Sequence, residues 1–116
     1  VQDTVDAFTA TLRSDKGLGK VVNFGSNFEI SIAHVVALIA EIMNVKIAIA
    51  SDTERMRPLN SEVERLWADN SKVKALFGWS PKYAGRDGLA RGLQETINWF
   101  TQPENLQRYK SDIYNI

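Results

Sequence analysis

The sequence contains no cysteine, which excludes a disulfide frame, a thiolate zinc site and a cysteine nucleophile. Its single histidine, His34, is too few for a multi-histidine metal centre within the chain. It has no excess of either charge, since fourteen Lys and Arg offset fourteen Asp and Glu. A general nucleic-acid or anionic-membrane binder needs surplus cations to displace counterions, so neither partner is expected. No apolar run approaches the roughly 20 residues of a membrane span. No N-terminal stretch reads as a secretion signal, and a cytoplasmic location is expected. What remains is an ordinary globular composition, 44% hydrophobic and 24% charged, in 116 residues, the size of one small domain. The chain opens on Val1 and not on Met, as a piece of something longer would.

Apolar periodicity predicts about four helices. Val5, Phe8 and Leu12 stand at helical spacing behind Asp3 or Thr4 as the N-cap. Ser31 caps the clearest helix, whose apolar face runs through Ile32, Val35, Val36, Ile39, Ile42 and Met43. Asp69 or Asn70 caps a third, with Val73, Leu76 and Phe77 inward and Gly78 as its left-handed stop. The last begins near Arg86, carries Leu89, Leu93, Ile97 and Phe100 on one stripe, and ends before Pro103. Val21–Phe24 and Val45–Ala50 are β-prone. Strand, helix and strand over about 30 residues is the spacing of a βαβ unit. The expected fold is therefore α/β and mostly helical, with two or three short strands including that unit. Residues 1–102 form the lobe, and residues 103–116 are a tail that packs on the lobe or on a partner.

Catalytic machinery is hard to find in this chain. A nucleophile–base pair would need His34, which sits mid-helix between Ala33 and Val35 and reads as structural. Gly17-Leu18-Gly19-Lys20 resembles the end of a phosphate loop, but Val21 replaces the Ser or Thr that would hold magnesium. Gly85, Gly88 and Gly92 approach a dinucleotide fingerprint yet follow no strand, so helix start and close packing account for them better. The paired acids Glu62/Glu64 and Asp52/Glu54 read as solvated loop carboxylates.

One segment differs. Between residues 51 and 68 the chain is polar, irregular and broken by Pro58, and long loops inside small domains tend to carry function. Within it, Glu54 to Arg65 alternates guanidinium groups with carboxylates and amides. Arginine's planar fork suits bidentate contact with phosphate oxygens, and neighbouring acids and amides can accept ribose hydroxyls.

The motifs, taken in order, resemble a known family. Val1-x-Asp3-Thr4-Val5, Asn23-Phe24-Gly25-Ser26 and Glu29-Ile30-Ser31-Ile32 resemble the start of the C-terminal part of the extended short-chain dehydrogenase/reductases, the NAD-dependent sugar-nucleotide epimerases and dehydratases. Arg57-Pro58, Asp69-Asn70-Ser71-Lys72, Leu76-x-Gly78-Trp79-x-Pro81 and Gly88-Leu89 through Trp99-Phe100 continue the match. The Arg57–Arg65 segment and the Tyr-Asn-Ile ending resemble most the 4,6-dehydratase-like branch.

The resemblance implies a lobe that lacks the Rossmann core and closes over a nucleotide-diphosphate sugar. It implies substrate contacts at Arg57, Asn60 and Glu62, with Arg57 on the diphosphate. Asn60 falls where many members have an acid, and Glu62 is the alternative for the ribose. No catalytic residue, metal ligand or cofactor-binding residue is expected here, because NAD belongs to the full-length family member. The Tyr-x-x-x-Lys pair is missing: Tyr83, Tyr109 and Tyr114 have no lysine four residues on. The implied partner is a Rossmann domain of the same or another chain. Asn23, Asp69, Lys72 and Trp79 match positions that read as turn, cap, brace and packing. The alternative is a free-standing, non-enzymatic binding or self-assembling module, which would form a homo-oligomer to cover its apolar face.

Overall fold

The computed structural model describes residues 1–50 and 65–107. Five α-helices follow one another: α1 (Gln2–Leu12), α2 (Ile32–Met43), α3 (Ser71–Phe77), α4 (Gly85–Phe100) and the single turn α5 (Pro103–Leu106). A 3-10 turn, Asp15–Gly17, closes the exit of α1.

Local chemistry explains the boundaries. Ser31 accepts a hydrogen bond from the His34 amide at 3.2 Å and starts α2. Asn44 ends that helix in the left-handed region at φ 52, where a short polar side chain is tolerated. Gly78 ends α3 at φ 66, as its sequence position predicts. Pro103 stands at the start of α5, where its missing N–H costs nothing.

The α/β expectation is overturned: the described residues contain helices and no strand. A strand exists only if a neighbouring backbone completes its ladder. Val21–Phe24 and Val45–Ala50 do not pair with each other, so there is no βαβ unit. Val21–Phe24 lies instead beside residues 65–72, and the bonds that join the two stretches come from side chains. In the second stretch the Val45 amide donates back to the Ala40 carbonyl at 3.0 Å, and Ile47 and Ile49 stay exposed.

The core is small. Ala7, Val73 and Trp79 are buried together, with Ala10, Phe24 and Phe77 packed around them. Phe24 stacks on Phe77 at 6.1 Å between ring centroids and meets Trp79 edge-on at 5.2 Å. Phe77 lies so close to Gly17 that a Cβ there would meet its Cζ at 2.3 Å. Leu38 is buried where α2 packs on α4, and Arg86 reaches Glu41 between those helices at 3.5 Å.

Helix α1 packs through its small residues. Its buried residue is Ala7, and Val5, Phe8 and Leu12 face solvent. Asp3 does not cap the helix, whose N-cap is Val1. Both carboxylate oxygens of Asp3 instead accept amide hydrogens of the distant turn before α4, from Lys82 at 2.9 Å and Tyr83 at 3.1 Å. Lys82 also pairs with Asp6 at 2.7 Å, which fixes α1 to that turn and holds Asp6 below the usual carboxylate range.

Candidate functional site

Arg57, Asn60 and Glu62 lie outside the described residues, within 51–64. What is visible is how the chain is held as it returns from that segment. Residues 65–72 run alongside 21–29 in the opposite direction, joined by four side-chain rungs. Arg65 makes a two-pronged contact with Glu29, Nε to Oε2 at 2.9 Å and Nη2 to Oε1. Trp67 donates its indole N–H to Asn27 Oδ1 at 2.6 Å, and Asn27 takes a left-handed φ of 50 to meet it. The Asn70 carboxamide accepts from the Gly25 amide at 3.2 Å and donates back to the Gly25 carbonyl. The Lys72 ammonium donates to the Val21 carbonyl.

Each rung has a local cause. Gly25 permits the approach, since a Cβ there would stand 2.6 Å from the Cβ of Ala68. Asp69 frees Asn70 from capping by accepting both the amide (2.8 Å) and the hydroxyl (2.6 Å) of Ser71. Those bonds hold the Asp69 carboxyl below its ordinary range, the hydroxyl contributing most. The Arg65 guanidinium does the same to Glu29, and Glu29 in turn raises Arg65. The readings of Lys72 as brace and Trp79 as packing residue agree with the structure, whereas the N-cap position of α3 is held by Asn70 and Asp69 stands one residue before it. The anchors Glu29, Asn27 and Asn70 were not identified from the sequence.

Beside the clasp is an apolar cleft of about 430 Å³ between α1 and the 24–26 turn, lined among others by Ala7, Phe8, Phe24 and Trp79. Asp3 is among its lining residues, and both its oxygens accept from the turn amides. His34 Nδ1 is 2.9 Å from Ser31 Oγ, and that hydroxyl already serves as the cap of α2. Within α4, Gly88 and Gly92 face Tyr83, whereas Gly85 opens the helix at a left-handed φ of 66 with open space around it. A Cβ on Gly88 would meet the Tyr83 backbone at 2.3 Å, and one on Gly92 would touch the Tyr83 ring at 3.4 Å. With these amides wound into a helix and no strand ahead of them, the described residues do not fit a dinucleotide's pyrophosphate. Among those residues no group of three potential metal ligands occurs, and no helix is long and apolar enough to cross a membrane.

Comparison with known proteins gives the class. Residues 1–92 match the family described as GDP-mannose 4,6 dehydratase. The chain is 31% identical over 117 residues to the dTDP-D-glucose 4,6-dehydratase of Homo sapiens, covering 94% of this chain and 30% of that protein. It is 29% identical over 102 residues to a putative GDP-L-fucose synthase 2 of Arabidopsis thaliana, covering 88% and 28% respectively. GDP-L-fucose synthase 1 of Arabidopsis thaliana is 31% identical over 100 residues, covering 86% and 28%. No solved structure matches.

The chain belongs to the GDP-mannose 4,6 dehydratase family, within the extended short-chain dehydrogenase/reductases that act as sugar-nucleotide epimerases and dehydratases. It spans less than a third of the length of the curated relatives it matches.

Proposed function

We propose that this chain is the nucleotide-sugar-binding lobe of an NAD-dependent epimerase or 4,6-dehydratase and is not catalytically competent alone. The observation that carries the reading is the clasp between 21–29 and 65–72. Those rungs fix the end of the segment bearing Arg57, and the clasp lies wholly within the residues that match the family. Fixed ends reduce the entropy lost when a loop closes on a ligand. In this reading Arg57 holds the diphosphate, and Asn60 and Glu62 meet the ribose. The lobe positions the substrate and excludes water, while hydride and proton transfer belong to a Rossmann domain that binds NAD. The exposed side chains of Val45, Ile47, Ile49, Leu66 and Trp67, on both sides of the 51–64 segment, suit a face covered by that domain. A cytoplasmic location, where nucleotide sugars are made, goes with this role.

Calorimetric titration with GDP- and dTDP-hexoses tests it. Weak binding is expected, near 1 mM, and Arg57→Ala should abolish it. Binding unchanged in Arg57→Ala, or turnover of a nucleotide sugar by this chain with added NAD, would overturn the assignment.

A further inference from the structure

We draw no further inference here: the strongest candidate, the apolar cleft between α1 and the 24–26 turn, is lined by the exposed Phe8 of an unpartnered apolar face, and nothing in the structure shows what covers it.

Discussion

The Asn70 carboxamide satisfies both the amide and the carbonyl of Gly25, 45 positions away in sequence. A residue whose amide and carbonyl are both held in this way would otherwise need a neighbouring strand. A single side chain therefore stands in for a rung of sheet.

Asn70→Ala leaves two part-buried backbone groups of Gly25 without partners. The expected loss is about 1–3 kcal/mol, read as a lower urea midpoint with unchanged slope. Asn70→Asp should not rescue it, because a carboxylate cannot donate to the Gly25 carbonyl.

Gly25→Ala and Gly88→Ala drive a Cβ into Ala68 and into the Tyr83 backbone respectively. Each should destabilise by about 1–3 kcal/mol through overpacking. Gly92→Ala meets Tyr83 only at ordinary contact distance and should be neutral or stabilising in thermal melts.

Val73 is fully buried, and Trp79 anchors the aromatic cluster. Val73→Ala should cost about 2 kcal/mol, and Trp79→Ala about 3–5. Phe8→Ser, on the exposed side of α1, should leave the melting temperature nearly unchanged.

Asp6, Glu29 and Asp69 all have carboxyls held below their ordinary values, by Lys82, Arg65 and Ser71 in turn. A depressed carboxyl contributes stability above its unfolded value, near pH 4, and loses it as pH falls through the lower folded value. Denaturation followed from pH 7 to pH 2 should therefore show stability falling below about pH 4. Asp69→Asn should flatten part of that decline.

Tyr83 donates to both oxygens of Glu95, at 2.9 and 2.8 Å, and the Glu95 carboxylate raises its phenol above the ordinary range. A raised group contributes stability below its unfolded value, near pH 10, and loses it as pH rises through the folded value. Ultraviolet titration of the phenolates should show a late step that disappears in Tyr83→Phe.

The helices were legible because their signals are local. The Ser31 cap, the Gly78 stop and Pro103 each act within one turn of the residue that carries them. The strands were misread because β-propensity states only that Val21–Phe24 fits a half-buried surface, and not what lies beside it. The neighbour comes more than 40 residues later, and no periodicity encodes that Asn70 turns to Gly25 instead of capping α3. Which face of α1 turns inward was not legible, because helical spacing of Val5, Phe8 and Leu12 does not say that the small Ala7 and Ala10 occupy the core side. Of the site, the reading of Arg57, Asn60 and Glu62 falls outside the described residues. The anchors beside them, Glu29 and Asn27, acquire meaning only once 65–72 is set against 21–29.

The four rungs join residues 36 to 51 positions apart in sequence. Closing such spans costs chain entropy that no local helix offsets, so the clasp should assemble late, after α2 and α4 have formed. The anchors of the Arg57 segment would then become fixed only in the last cooperative step of folding. In the proposed role, a nucleotide sugar that needs those anchors would bind the fully folded chain and pass over partly folded forms. In a cell, ligand would then protect finished molecules selectively and leave half-folded ones open to proteolysis.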